Sequence, residues 1–255
     1  MAEPVTLTEV DGGAFVELRL TAPPRNILDG AALDGVVATA RRAGACRSAR
    51  ALLLCADGPA FSAGASVPEH RRAEAAGMLA RFHAAIRALC DVDLPIVAAV
   101  RGACLGGGLE LVLPATRIHA HPDARFGQPE IRLGALAPVA SLLLPRRIGQ
   151  ARAEQLLLSG RVVDAHAAEH LGLVTVVEED PEAGARAWIR EALVPHSASS
   201  LRLACRAARA GERRDLDDLL PALERLYVDE LSPTHDAEEG VDAFLAKRPP
   251  RWENR

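Results

Sequence analysis

Two glutamates in this 255-residue chain stand where a carboxyl could do chemistry. Glu110 sits among Leu109, Leu111, Val112 and Leu113, an apolar setting in which burial would raise its pKa. Glu130 follows Pro129 in Phe126-Gly127-Gln128-Pro129-Glu130-Ile131, where the fixed φ of proline stiffens the chain before it. Two carboxyls can divide the work of general base and general acid. A plainer reading also fits, with each glutamate simply favouring the positive end of a helical turn. The pair alone leaves both open.

Two glycine-bearing turns accompany the glutamates. Phe61-Ser62-Ala63-Gly64-Ala65 follows one apolar run, and Gly102-Ala103-Cys104-Leu105-Gly106-Gly107-Gly108 follows another. Small residues at such turns let a backbone N–H approach a ligand closely, and a helix opening near Gly107 adds its N-terminal dipole. Two N–H groups converging on one oxygen would make an oxyanion hole. On composition alone, tight turns made for packing explain the glycines equally well. Neither segment has the G-x-G-x-x-G order of a dinucleotide site, and no G-x-x-x-x-G-K-[ST] occurs.

The elements that must hold these residues follow from patterning. Alternation in 5–10 and 14–20 around Asp11-Gly12-Gly13 predicts a β-hairpin. Asp29 is placed to cap a helix over 30–42. The short apolar runs 51–55 and 96–100 read as buried strands. Between them, 69–91 has helical spacing, with Met78, Phe82, Ile86 and Leu89 on one face. Beyond Gly149 the pattern predicts helices over 150–158, 164–170, 181–193, 197–210, 215–231 and 236–247, interrupted by a strand at 173–177. The fold class is therefore α/β, with a core over 1–195 and a helical section over 196–255.

Composition narrows the function further. The formal charge of −4 gives no support to nucleic-acid binding. Of the 30 basic residues 29 are arginine, and Lys247 is the single lysine. Coding bias is the simplest cause. Cys46, Cys55, Cys90, Cys104 and Cys205 form neither a disulfide framework nor a zinc spacing, which points to a reducing, cytoplasmic compartment. No secretory leader pattern and no long apolar span argues for a membrane. His166-Ala167-Ala168-Glu169-His170 matches H-x-x-E-H, but it reads as a solvated helix face rather than a metal site. His119 and His121 alternate on a strand pattern without a third ligand, and Ser62 and Ser66 lack a positioned base.

The segments Phe61-Ser62-Ala63-Gly64-Ala65, Arg101-Gly102-Ala103-Cys104-Leu105-Gly106-Gly107-Gly108-Leu109-Glu110 and Phe126-Gly127-Gln128-Pro129-Glu130-Ile131-Arg132-Leu133-Gly134 resemble, in order and spacing, the enoyl-CoA hydratase/isomerase (crotonase) family. The likeness extends to Leu157-Leu158-Ser159-Gly160, to the Asp164-Ala165 to Gly172-Leu173-Val174 stretch, and to residues 239–248. The resemblance implies a crotonase-like spiral of ββα units with a helical C-terminal trimerisation region, assembled as a homotrimer or homohexamer. It implies that the N–H groups of Ala65 and Gly107 form an oxyanion hole for a thioester carbonyl. Glu110 and Glu130 match the family's two catalytic glutamates, and the presence of both favours hydration over isomerisation or thioester hydrolysis. Arg25, Ala63, Phe244 and Lys247 match positions near the acyl-CoA substrate. No metal is implied, and no cofactor, coenzyme A being part of the substrate.

Three departures from the common pattern matter. Ser66 stands where Asp is usual, Arg101 where Asn is common, and Ala137-Pro138-Val139-Ala140-Ser141 replaces a glycine-rich loop. The last should stiffen and fill a loop near the acyl pocket. With Pro68-Glu69-His70-Arg71-Arg72 and Phe82-His83, the pattern is similar to the cyclohexa-1,5-dienecarbonyl-CoA hydratase branch, which hydrates a cyclic dienoyl thioester. A straight-chain 2-enoyl-CoA hydratase or isomerase, and a non-enzymatic acyl-CoA-binding scaffold, are the competing readings. RNA binding, known as a side role in the family, gains nothing from the acidic balance.

Overall fold

A computed structural model describes residues 3–255. Strands β1 (Val5–Val10) and β2 (Phe15–Leu20) form the expected hairpin, with Val5 opposite Leu20. Asp29 caps α1 (Gly30–Ala45) by accepting from the Ala32 N–H at 2.9 Å. Strand β3 (Leu52–Ala56) leads through a 3₁₀ turn, Val67–His70, into α2 (Arg72–Cys90). Then come β4 (Ile96–Val100), β5 (Ala103–Leu105) and the short α3 (Gly107–Val112). The next turn of chain supplies β6 (Arg117–Ala120), β7 (Arg125–Gly127) and a second 3₁₀ turn, Pro129–Leu133. Helices α4 (Pro138–Ile148) and α5 (Gln150–Ser159), strand β8 (Val162–Asp164), helix α6 (Ala165–Leu171), strand β9 (Val176–Val177) and helix α7 (Pro181–Ala192) complete the core.

The strands make two sheets. The larger has the order β1-β2-β3-β4-β6-β9, parallel from β2 onward. The smaller has the order β5-β7-β8. After the hairpin, successive passes pair β3 with the Ser62 bridge, β4 with β5 and β6 with β7, one strand in the large sheet and one short extended segment in the small one, so these units stack as a spiral. Both faces of the central strands β3 and β4 are covered, which is why those two read as unbroken apolar runs. Leu52 and Leu54 face the core beneath α1 and α2, whereas Leu53 and Cys55 pack with Ala185, Ile189 and Leu193 on the α7 side.

The helical section consists of α8 (Ala198–Ala208), α9 (Ala210–Asp218), α10 (Leu220–Arg225), a π-helical turn (Leu226–Leu231) and α11 (His235–Leu245). The single helix expected over 215–231 is broken, because Pro221 restarts the backbone in the first turn of α10. The expected strand at 173–177 is reduced to Val176–Val177, where only His119 and Ala120 offer a ladder partner. The segment after Ala137 is a helix and not a loop, since Pro138 occupies its first turn, where no N–H is needed.

Arginines fasten this section to the core. Arg209, 7% exposed, donates to the carbonyls of Leu94 at 3.0 Å and Pro114 at 3.1 Å. Arg202 donates to the carbonyls of Gly44 and Cys46, and Arg213 to that of Cys90 and to Asp93. His83 of α2 hydrogen-bonds Glu224 of α10. Removing a buried donor leaves its acceptors desolvated and unpaired. Arg209→Met is therefore expected to lower unfolding stability by about 1–3 kcal/mol in chemical denaturation. Arg214→Ala, which deletes one exposed pair with Asp218, should stay within about 0.5 kcal/mol.

Candidate active site

The site is assembled where three consecutive spiral turns leave the small sheet. Ser62 bridges Cys104 in parallel, Cys104 pairs with Phe126, and Phe126 pairs with Val163. Three residues beyond Ser62 is Ala65, three beyond Cys104 is Gly107, and four beyond Phe126 is Glu130. The aligned register thus delivers all three to one edge. Glu110 follows from Gly107 by a single helical turn.

The first turn is tied down by Asn26, which is 2% exposed. Its amide donates to the carbonyls of Asp57 at 2.9 Å and Ala60 at 2.8 Å, and its side-chain oxygen accepts from the Ala22 N–H. The Ser62 hydroxyl donates to the Asn26 carbonyl and accepts from the Gly64 N–H. Gly64 has φ +101°, and a Cβ there would lie 2.9 Å from the Leu105 carbonyl oxygen. Gly106 has φ +52°, and its missing side chain leaves the space that Glu130 Oε1 occupies. The N–H groups of Ala65 and Gly107 have no backbone acceptor among the described residues. They lie close together, since a Cβ on Gly107 would be 3.2 Å from the Ala65 nitrogen.

Both carboxyls enter the same narrow cleft, walled by Met78, Leu79 and Phe82 of α2, by Leu136, Ala137 and Pro138, and by Tyr227. Glu110 is 5% exposed and accepts the Ala140 N–H at 2.8 Å, at the start of α4. Burial drives its pKa up, and this backbone donor offsets only part of the effect. Glu130 is raised by burial and then by the charge of Glu110. With its amide turned so that nitrogen faces Glu130, Gln128 donates to both carboxyl oxygens at 2.8 and 3.0 Å. Two carboxyls in one buried cleft titrate as a pair, and their repulsion favours a state with one proton between them. Such a pair holds a base and an acid at once.

The cleft thus gathers Glu110, Glu130, Ala65 and Gly107. Ala63 lies behind it, its N–H donating to the Arg25 carbonyl at 2.9 Å, so those two expected substrate-binding residues are joined while the Arg25 side chain faces solvent. Phe244 is 54% exposed and Lys247 is also exposed; neither lines this cleft. Lys247 was expected in the last helix but lies two residues beyond it, in a left-handed cap at φ +52°. His166 and Glu169 are 3.8 Å apart on α6, and among the described residues no three His, Cys, Asp or Glu side chains converge as metal ligands. His119 pairs with Glu178 on the far side of the sheet. Asn26, Gln128 and Tyr227 escaped the sequence reading. Of these only Tyr227 carried a signal, as the sole tyrosine of the chain.

A sequence profile of enoyl-CoA hydratase/isomerase matches residues 12–255. The chain is 48% identical over 243 residues to cyclohexa-1,5-dienecarbonyl-CoA hydratase of Thauera aromatica, covering 95% of this chain and 94% of that one. It is 34% identical over 218 residues to the mitochondrial methylglutaconyl-CoA hydratase of Rattus norvegicus, covering 81% of this chain and 68% of the relative. An enoyl-CoA hydratase structure from Mycobacterium avium superposes with a TM-score of 0.88 at 28% identity, covering 99% of this chain and all of the other.

The raised carboxyls make a stability prediction. A group whose folded pKa exceeds its unfolded value contributes fully below the unfolded carboxyl range, about 4.3, and that contribution is lost as pH rises through the folded values. Glu130→Gln should therefore melt higher than the wild type at pH 8, with the difference shrinking at pH 5. Thermal melts at the two pH values check it; a variant less stable at pH 8 contradicts it.

Proposed function

Because this chain belongs to the enoyl-CoA hydratase/isomerase family, we propose that it is a hydro-lyase that adds water across a C=C conjugated to a CoA thioester. The observation that carries this reading is the carboxyl pair, Glu110 buried and Glu130 half-buried, beside two N–H donors without a backbone acceptor in one cleft. The thioester carbonyl accepts from the N–H groups of Ala65 and Gly107. As water attacks the β-carbon, electron density moves onto that carbonyl oxygen, and each donor placed there is typically worth about 10²–10³ in rate. The deprotonated member of the glutamate pair takes a proton from the water, and the protonated member supplies one to the carbon skeleton. Positioned proton transfer of this kind contributes about 10²–10⁴. Atoms and charge balance within the pair, and this chemistry needs neither a metal nor a cofactor besides the CoA of the substrate.

The substrate is a compact cyclic dienoyl-CoA of the cyclohexa-1,5-dienecarbonyl type. The likeness to the Thauera aromatica enzyme over almost the whole chain supports this. So does the closing of the cleft by Leu136, Ala137 and Pro138, the last of which opens α4.

Residues 196–255 carry self-association into a homotrimer or homohexamer. Leu203, Leu219, Phe244 and Leu245 are exposed apolar side chains on that section that a partner subunit would cover. Lys247, in its left-handed cap, and Arg25 reach the CoA phosphates, Lys247 across the subunit boundary. Five free cysteines suit a reducing, cytoplasmic setting. No helix among the described residues is long and apolar enough to cross a membrane.

Purified protein should hydrate cyclohexa-1,5-dienecarbonyl-CoA with a higher kcat/KM than a straight-chain 2-enoyl-CoA, followed by loss of the conjugated absorbance. Glu110→Gln and Glu130→Gln should each reduce kcat at least about 10²-fold. Loss with only one of them would exclude hydration by a pair. Lys247→Ala should raise KM for the CoA thioester and spare a thioester lacking the nucleotide; equal effects would return Lys247 to the surface.

A further inference from the structure

Tyr227 and His70 are the two polar side chains lining the cleft to which the reaction above assigns nothing, and of these Tyr227 carries a hydroxyl. Tyr227 is 2% exposed, although Leu226 beside it is 39% exposed. The π-helical turn Leu226–Leu231 shifts the helical phase where Tyr227 meets the cleft, and single π turns recur at functional sites. Its walls include Glu110, Glu130, Gly107 and His70 as well as Tyr227.

The Tyr227 ring is buried, but its hydroxyl has no hydrogen-bond partner among the described residues and is not one of the sealed unpaired polar atoms, so it keeps access to a solvent-sized neighbour. The charges of Glu130 and Glu110 both act on it. Burial and those two charges push its pKa well up, so it remains a neutral donor. His70, the other titratable group here, is neutral too: its Nδ1 engages the Ser66 carbonyl at 3.0 Å, and burial lowers its pKa. A phenylalanine would serve equally as wall. A donor that shares a cleft with two carboxyls without bonding either leaves room for an oxygen bearing hydrogens to lie between them, donating to the carboxyls and accepting from the phenol. Buried waters occupy sites with two to four such partners.

We propose that the Tyr227 hydroxyl is a third group on the oxygen that is added, donating a hydrogen bond to the water before addition and to the β-hydroxyl of the product afterwards. The phenol keeps its proton throughout, so no bond to Tyr227 forms or breaks. Its contribution is to fix the position of that oxygen against the carboxyl pair, and to tell a hydroxylated acyl group from one without the hydroxyl. This inference rests on the hydratase reading.

The test compares wild type with Tyr227→Phe, which keeps the ring and removes only the oxygen. Calorimetric titration with 2-hydroxycyclohexanecarbonyl-CoA and with cyclohexanecarbonyl-CoA isolates the hydroxyl. The substitution should weaken the hydroxylated ligand about tenfold and leave the unsubstituted one within about twofold, while kcat for hydration falls about ten- to a hundredfold with KM little changed. Equal shifts for both ligands, or no shift for either, overturn the role of Tyr227. Failure of the wild type to hydrate any enoyl or dienoyl thioester would overturn the hydratase reading instead, and the ligand pair still decides whether Tyr227 recognises the hydroxyl.

Discussion

The structure depends first on one ladder, in which Ser62, Cys104, Phe126 and Val163 stand side by side across the small sheet. Because side chains in a strand alternate, a slip of one residue at any rung would turn the following turn inside out. Ala65, Gly107 and Glu130 would then leave different edges of the molecule. The register is held by backbone bonds such as Leu105 N–H to the Ser62 carbonyl and Gly106 N–H to the Gly127 carbonyl, and by Asn26 from below. Glycines at 64 and 106 let neighbouring turns approach closely enough to share one cleft.

Into that cleft the fold places two carboxyls at a cost to stability, since neither is compensated by a basic side chain. What offsets this is cover. Helix α11 packs on the turn that bears Glu130, with the Leu133 carbonyl occupying the space a Gly240 side chain would need. Arg71 ties α11 back through Glu238 and Asp242 at 3.3 and 2.5 Å. Helices α8 and α9 are held by arginines that reach backbone carbonyls with several donors at once, a geometry lysine cannot reproduce. The lopsided arginine content therefore has structural use at Arg202, Arg209 and Arg213, whatever its origin.

Much of this was legible in the sequence because it is local or periodic. The hairpin, the Asp29 cap and the buried strands follow from patterns a few residues long, and the glutamates and glycine turns from their resemblance to a family. Other features were hidden for physical reasons. Strands β5, β7 and β8 have three residues each, too few for alternation to show. The Asn26 network joins positions more than thirty residues apart through backbone atoms, which no composition reveals. Tyr227 lay within a stretch of plain helical spacing, and only the break at Pro221 and the π turn carry it to the cleft.

Hydration in this cleft requires a thioester carbonyl docked against the N–H groups of Ala65 and Gly107 with its acyl group beside the glutamate pair. Infrared difference spectroscopy of bound cyclohexanecarbonyl-CoA, with and without ¹³C at the carbonyl, reads that contact directly. Two converging donors polarise the carbonyl, so its stretch should move to lower wavenumber than in water and narrow to one band. A carbonyl band as broad and as high as that of the free thioester would place the acyl group elsewhere and contradict the account.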